Sequence, residues 1–400
     1  MHSTSLTRSA LAAAIAMAFA GSAFAGGPGI QFAPAAYQEG ISIHGLIDTG
    51  IQIHHAGGTT STRMMPNGDE TSAVHIRARE NLRNGNYVRM KLSAPFKPDS
   101  GEFNNKTSSN QPVLFNEAFV AVGGDWGELA AGRITNIFSG SGDYGICPQI
   151  NPSPMGTNFP NAALVPIFSS GYSFNNTVVY NSPRINGFHI TTLYSNGRDD
   201  DSVGRSKSDQ FAAVALTYIG KQFKFAVLPT YIDNDSLNTK DVKLNDEYGI
   251  ALLGSYWPDP TMGLHFGYQY VRDGRALGGS YFNYFTPAAA GGPGIAKSER
   301  GVDTHALSIG LSKRFGSQKI SVVLMGNKVE YKGDSHVDGD KDGWRVNPAA
   351  IYRYYLSKRT HVWAAASTRS PAVFRPIRPR PGTWAQALSI TSDTRYQTGI

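Results

Sequence analysis

The feature that most constrains the fold is a two-residue alternation between residues 41 and 53. One parity carries five isoleucines, Ile41, Ile43, Ile47, Ile51 and Ile53, and the other parity is mostly polar. Successive side chains of a β-strand point to opposite faces, so this pattern predicts a strand with one apolar and one polar face. No 3.6-residue period of comparable length occurs, and a helical fold is therefore disfavoured.

Two further predicted strands place basic side chains on the polar face. They follow a predicted polar loop from His55 to about Thr71 and are joined by the turn Arg83-Asn84-Gly85-Asn86, whose Asn-Gly pair is typical of hairpins. The basic residues of this face are Arg77, Arg79, Arg89 and Lys91. A charge facing lipid at mid-depth would cost about 2–4 kcal/mol, so we expect this face to line water.

The first residues predict export across a membrane. His2 and Arg8 precede an apolar run that ends near Ala20, and Ala23 and Ala25 provide an A-x-A cleavage site. We therefore predict a signal peptide over residues 1–25, followed by a short N-terminal lead over residues 26–40. The mature chain keeps 36 basic and 30 acidic residues. Because these charges are spread along the strands, nucleic-acid binding is not expected.

Beyond the signal peptide the chain lacks the ~20 consecutive apolar residues of a membrane helix. Sixteen segments of alternating character follow one another, joined in turn by short turns and long loops. A closed barrel pairs every backbone polar group internally, and about 16 strands leave an aqueous channel. The predicted fold is all-β, a 16-stranded antiparallel transmembrane β-barrel over residues 26–400. Cys147 is the only cysteine, so no intrachain disulfide can stabilise the barrel.

The segment 134–175 is unusually long for a loop inside a compact domain. Its glycines and prolines are typical of turns, while Phe138, Phe159 and Phe168 can pack against another surface. Asp143 is its only acidic residue, and it has no lysine or arginine. We expect this loop to fold back into the mouth of the barrel. The alternative is an ordinary disordered surface loop.

An ordered set of short motifs carries a family resemblance. The motifs are Ile43-His-Gly-Leu-Ile-Asp-Thr-Gly50, Glu80-Asn-Leu-Arg-Asn-Gly85, Phe119 through Trp126-Gly127 to Gly132-Arg133, Tyr180-Asn-Ser-Pro183, Gly187-Phe188 and Leu356-Ser-Lys-Arg-Thr360. Together they cover nearly the whole mature chain. The chain thereby resembles the general porins of Gram-negative bacteria, especially the trimeric type of beta-proteobacteria.

The resemblance implies a barrel whose third external loop narrows the lumen. It also implies a homotrimer in the outer membrane, in contact with lipid and lipopolysaccharide, through which small hydrophilic solutes and ions diffuse passively. No reaction and no cofactor are implied. Two departures from the family pattern stand out. The sequence stops at Gly399-Ile400, where the family commonly continues to a terminal aromatic residue, so we expect a truncated last strand. Ala73 stands where an arginine often begins the second strand.

The candidate constriction residues are the basic residues of adjacent strands and the nearby acids, namely Arg77, Arg79, Arg89, Lys91, Glu117 and Asp143. Clustered positive charge raises the local concentration of anions, which predicts a weakly anion-preferring channel. The alternative is that the basic side chains pair with Glu117 and Asp143 and only hold the loop. Arg133 lies at a strand end where formal parity points outward, and its direction is left open.

Competing functions were weighed against this one. A substrate-selective channel for phosphate or organic acids would need a dedicated basic track. An outer-membrane enzyme would need a Ser/His pair on the lipid-facing wall, and the histidines mostly fall on the inward parity, at His44, His75, His189, His265 and His305.

No metal site is predicted either. Asp338-Gly-Asp-Lys-Asp-Gly343 resembles the start of a calcium loop, but Ala349 replaces its required glutamate. His54 and His55 lack accompanying ligands. We therefore expect no metal, cofactor or catalytic residue.

An irregular final loop over residues 369–390, rich in proline and arginine, completes the predicted organisation.

Overall fold

The computed structural model describes thirteen segments of the chain. They are residues 39–56, 59–66, 68–103, 114–139, 142–154, 173–196, 210–233, 243, 245–274, 302–331, 343–357, 360–369 and 393–398. The predicted signal peptide, nearly all of the N-terminal lead and the final loop after Arg369 lie outside these residues. So does most of the calcium-like run, residues 338–342.

The described residues form one sheet of eighteen antiparallel strand segments. The segments are β1 (Gly40–Leu46), β2 (Thr49–Ala56), β3 (Thr59–Pro66), β4 (Ala73–Asn81), β5 (Tyr87–Pro95), β6 (Glu117–Gly124), β7 (Gly127–Thr135), β8 (Ser173–Asn181), β9 (Phe188–Asn196), β10 (Gln210–Ile219), β11 (Phe223–Asp233), β12 (Glu247–Asp259), β13 (Met262–Gly274), β14 (Val302–Phe315), β15 (Gln318–Tyr331), β16 (Gly343–Tyr355), β17 (His361–Arg369) and β18 (Asp393–Thr398). A 3-10 turn (Arg83–Gly85) and a short helix, α1 (Cys147–Ile150), complete the elements. No helix in this part of the chain is long and apolar enough to cross a bilayer.

Two pairs of segments are interrupted strands. Only Ile47 and Asp48 separate β1 from β2, and residues 67–72 separate β3 from β4. β1 lies beside β4 and β2 lies beside β3, so the two interrupted strands run alongside each other. Counting each as one gives the sixteen strands that the sequence predicts. β18 pairs with β17 on one side and with β2 on the other, which joins the last strand to the first.

One predicted loop is wrong. The segment from His55 to about Thr71 was expected to be a polar loop, but Thr59–Pro66 forms β3 and pairs with β2 along its whole length. Its sequence, TTSTRMMP, has no apolar parity, so the alternation that marks the other strands is missing. Pairing of the backbone with β2 therefore decides this strand.

The two interruptions place the carboxylates of Asp48 and Asp69 at the junction between the first and last strands. Asp48 Oδ2 accepts hydrogen bonds from the backbone N–H groups of Asp69 and Glu70, at 2.5 and 2.7 Å. Its Oδ1 accepts one from the Trp363 indole at 3.0 Å. Asp69 in turn accepts two bonds from Arg353, at 2.6 and 2.5 Å. These contacts, which we call the seam clasp, tie the first two strands to β16 and β17.

A glycine makes the seam clasp sterically feasible. A Cβ on Gly68 would lie 2.3 Å from the Trp363 ring, which is far below any van der Waals distance. Only a residue without a side chain lets the interrupted strand approach the indole. His361 Nε2 also lies 3.0 Å from Asp69 Oδ2. The break in the strand is thus held by specific contacts on both sides.

The two faces of the sheet differ as the alternation predicts. Along a strand, every second residue points to the outer face, and these positions carry exposed large apolar side chains, for example Leu307, Ile309 and Leu311 on β14. The intervening residues of that strand, including Ser308 and Ser312, are buried on the inner face. His305 is an exception to the predicted inward histidines. It shares the outer parity of β14 and bonds the Tyr268 hydroxyl at 2.9 Å.

Candidate constriction site

The loop after β7 folds against the inner face of the sheet. β7 ends at Thr135 and β8 begins at Ser173, so the loop covers residues 136–172, slightly less than the predicted 134–175. The described part, residues 136–139 and 142–154, buries Ile137, Phe138, Ile146 and Ile150 almost completely. These side chains join one apolar cluster with inward residues of β6 and β8–β12. Apolar packing thus fixes the loop inside the enclosure of the sheet.

Asp143 fastens the loop to the basic strands. Its Oδ2 lies 2.7 Å from Arg89 Nη1, and its Oδ1 lies 2.6 Å from Lys91 Nζ. Arg77 Nη2 is further away, at 3.6 Å from Oδ1. One loop carboxylate therefore contacts three cations that β4 and β5 contribute to the inner face.

Two strand carboxylates complete this cluster. Glu128 on β7 accepts two bonds from the Arg89 guanidinium, at 2.7 and 2.6 Å. It also accepts a bond from the Tyr144 hydroxyl at 2.6 Å. Glu117 on β6 accepts a bond from Lys91 Nζ. Because the arginine is bound in a bidentate manner, its orientation as well as its charge is fixed.

The charges in this cluster balance. Arg77, Arg89 and Lys91 face Asp143, Glu117 and Glu128, so three cations meet three acids. Arg89, Lys91 and Asp143 are each only 3% exposed. The contacts are those of the alternative interpretation, in which the basic residues pair with acids and hold the loop, with Glu128 as an additional acid.

Gly123 on β6 lets Glu128 on β7 reach across this one strand to β5. In the sheet register Gly123 stands between Tyr87 and Glu128. A Cβ on it would lie 2.4 Å from the Tyr87 ring. With no side chain in the way, the Tyr87 hydroxyl donates to Glu128 Oε2 at 2.9 Å. The hydrogen bond from Tyr87 thus helps to hold the Glu128 carboxylate against the Arg89 guanidinium.

Ile150 and Asn151, near the end of the described part of the loop, are bound on the opposite side of the inner face. Ser255 Oγ on β12 donates to the carbonyl of Ile150 at 2.6 Å. His265 on β13 bonds the carbonyl of Asn151 through Nδ1 at 2.6 Å and Ser312 through Nε2 at 3.0 Å. The described part of the loop therefore runs from β4–β7 to β12–β13 and crosses the interior between them.

Two predicted residues lie outside the buried cluster. Arg79 stacks on the Tyr87 ring, with its guanidinium carbon 4.0 Å from the ring centroid, and donates to Asn81 at 2.9 Å. Arg133 sits where the register between β7 and β8 shifts. It donates to the carbonyl of Phe115 at 3.2 Å and to the Asn175 side chain. Because the register is irregular at Arg133, strand parity does not give the direction of its side chain. Its guanidinium contacts the two chain segments beside it.

The electrostatic setting of the loop residues follows from these contacts. Burial alone would raise the pKa of Asp143, but the charges of Lys91, Arg89 and Arg77 outweigh burial and hold it well below its usual value. Burial raises the pKa of the Cys147 thiol to about 12. Asp143 is consequently ionised at neutral pH, whereas Cys147 is a neutral thiol whose Sγ donates to the Phe138 carbonyl.

Comparison with known families decides the identity of this arrangement. Residues 10–369 match the sequence family described as Gram-negative porin. The chain belongs to the Gram-negative porin family. The enclosed sheet is therefore that of a porin, a water-filled channel of the outer membrane. No curated protein matches the chain.

Solved structures share this porin fold at low sequence identity. An anion-selective porin from Comamonas acidovorans has a TM-score of 0.62 and 18% identity, over 90% of this chain and 98% of that chain. The outer membrane channel DcaP of Acinetobacter baumannii has a TM-score of 0.56 and 11% identity, over 90% and 97%. A loop L8 deletion mutant of OmpT, an outer membrane protein of Vibrio cholerae, has a TM-score of 0.55 and 11% identity, over 90% and 98%. At these identities the likeness establishes the fold of the chain.

Sequence reasoning missed several residues of the porin interior. Glu128 shares the inward parity of Ala130 on β7, so strand parity could have identified it. Tyr144 stands directly beside Asp143, but nothing in the sequence indicates that its hydroxyl meets Glu128. Ser255 and His265 could not have been predicted, because their role depends on where the loop ends.

Proposed function

We propose that the chain forms a passive diffusion channel for small hydrophilic solutes and ions, weakly selective for anions. The loop of residues 136–172 narrows the channel. The residues that form or hold this constriction are Arg77, Arg79, Arg89, Lys91, Glu117 and Asp143. The observation that carries the proposal is the buried contact of Asp143 with Arg89 and Lys91, because it holds the loop inside the sheet.

Family membership and geometry support the channel differently. Membership in the porin family supports passive conduction. The path of the loop across the interior supports an opening that is narrower than the barrel itself. The anion preference draws on the surplus of basic residues in the mature chain, 36 against 30. The structural neighbour from Comamonas acidovorans is an anion-selective porin, which agrees with this sign.

We further infer that the mature protein is a homotrimer that contacts lipid and lipopolysaccharide and is exported by its signal peptide. It is not an enzyme and uses no cofactor. Among the described residues His305 lies on the outer face, but it bonds the hydroxyl of a tyrosine, Tyr268, rather than that of a serine. A lipase assay on refolded protein tests this part, and measurable hydrolysis would contradict it.

The channel is tested by single-channel current across a planar bilayer under a salt gradient. Refolded mature protein should give large ohmic steps, with a reversal potential that favours chloride over potassium. Steps with cation preference would keep the channel and overturn its selectivity. Current that saturates strongly with phosphate or an organic acid would indicate the substrate-selective alternative, and absence of steps would contradict the channel.

A further inference from the structure

Because the charges of the constriction balance, they do not account for a preference of the channel for anions over cations. Arg77, Arg89 and Lys91 are matched by three acids, and Arg89 and Lys91 are almost fully buried. Paired charges at short distance produce a weak field at a passing ion. An anion preference therefore requires a surplus of positive charge elsewhere on the channel wall.

A row of three cations lies near the short turns at one end of the barrel. Arg314, Lys319 and Arg353 are direct register partners on β14, β15 and β16. Each shares the parity of a buried inner-face residue on its strand, namely Ser312, Ser321 and Ile351. The charged groups that face Lys319 are Arg353, Asp69 and Arg314. Since Asp69 is bound by Arg353, the row has a net surplus of positive charge.

A second pair of cations lies at the same end. Arg184 is in the short turn between β8 and β9, and Lys224 is the second residue of β11. They are close enough to repel each other electrostatically. Arg184 Nη2 donates to Gln149 Oε1 of α1 at 3.4 Å, and Lys224 is the register partner of Ser255, which holds Ile150. This pair thus lies beside the docked end of the loop.

These cations differ from the buried cluster in two respects. Lys224 and Lys319 are half-buried, and Arg184 and Arg314 are exposed, so water reaches all four. In the described part of the chain, the ion pairs give none of the four an acidic partner. Like charges on adjacent strands repel, so a mobile anion from solution would relieve this repulsion.

We propose that Arg184, Lys224, Arg314 and Lys319 form a basic vestibule at the short-turn mouth that attracts small anions, including inorganic phosphate and carboxylates. This inference rests on the proposed channel function and names the residues that set its selectivity. β11 and β15 are four strand spacings apart, about 19 Å along the wall. The pair Arg184 and Lys224 and the pair Arg314 and Lys319 therefore lie at separate places around the short-turn mouth. A low-dielectric wall focuses their field and concentrates counter-ions in the mouth.

The test is the reversal potential of the double variant Lys224→Gln/Lys319→Gln. We expect its chloride-to-potassium permeability ratio to fall about threefold or more, while the size of the conducting steps is largely kept. The matched control is Lys221→Gln/Lys313→Gln. It removes two charges at the same end, one in a turn and one on the outer parity of β14, and should leave the ratio unchanged. An unchanged ratio in the first variant, or an equal fall in both, overturns the vestibule.

A second measurement needs no variant. Attraction by exposed cations is screened by salt, so the anion preference of the wild-type channel should weaken as ionic strength rises from about 0.1 M to about 1 M. A preference independent of salt overturns the vestibule even if the double variant fails to fold. Failure of the channel itself is distinguishable, because the wild-type protein would then give no conducting steps.

Discussion

Asp143 Oδ2 lies 2.7 Å from Arg89 Nη1, although 54 residues separate the two in sequence. Removing one partner of a buried ion pair leaves the other charge uncompensated, at a cost of about 3–5 kcal/mol. Asp143→Asn should therefore weaken the docking of the loop and give larger, noisier single-channel steps than the wild type. The control is Asp99→Asn, which removes an exposed carboxylate between β5 and β6. Steps of unchanged size in Asp143→Asn would show that the ion pair does not hold the constriction.

The depressed pKa of Asp143 predicts acid tolerance of the constriction. A carboxylate with a depressed pKa contributes stability above its ordinary pKa of 3.8, and this is lost only as the pH falls through the lower value of the folded state. The conductance should therefore stay constant from about pH 7 to about pH 3. Single-channel recordings over this range check it. A rise in conductance near pH 4 would mean that Asp143 titrates as an ordinary carboxyl group.

Ser255 supplies one of the two hydrogen bonds that hold Ile150 and Asn151, and His265 supplies the other. Ser255→Ala removes the bond to the Ile150 carbonyl and should cost about 0.5–1.5 kcal/mol, which loosens α1 without releasing Asp143. We expect increased current noise at a nearly unchanged mean conductance. Ser321→Ala is the matched control, since the described residues offer its buried hydroxyl no hydrogen-bond partner. Equal noise in both variants would contradict a role of Ser255 in docking.

The seam clasp should contribute to the stability of the barrel. Asp69→Asn removes the charge that Arg353 binds through two hydrogen bonds, and we expect a loss of about 3–5 kcal/mol. The loss would appear as unfolding at a lower denaturant concentration in detergent. Glu102→Gln breaks an exposed pair with Lys97 and should cost at most about 1 kcal/mol. Comparable losses in the two variants would argue against the clasp.

Much of the fold could be predicted from local patterns, because strand parity is a local property. The isoleucine alternation of residues 41–53 predicts the first strand, and the count of sixteen strands agrees with the pairing. β3 could not be predicted, since its threonine-rich sequence carries no alternation and its partner β2 decides it. The interruptions at residues 47–48 and 67–72 could not be predicted for a similar reason. Their carboxylates, Asp48 and Asp69, are bound by Trp363 and Arg353, which follow 315 and 284 residues later.

The site was partly predictable for the same physical reason. Parity placed Arg89 and Lys91 on the inner face, and loop length marked the segment that contains Asp143. The pairing of charges depends on where the loop docks, and this depends on the apolar inner surface formed by distant strands. Sequence reasoning therefore left two interpretations of the basic residues open, and the contacts with Glu117, Glu128 and Asp143 are those expected if the basic residues hold the loop. The sign of ion selectivity stays a prediction.

The contact between Asp69 and Arg353 joins residues 284 positions apart, which has a consequence for how the chain assembles. Contacts of such large sequence separation form late, because the intervening chain must first be ordered. The first hairpin can pair early through β2 and β3. The contacts of Asp48 and Asp69 with β17 and β16 can form only after those two strands have paired. Formation of the seam clasp would thus time the completion of the barrel, and a fluorescence change at Trp363 would report that last step of folding.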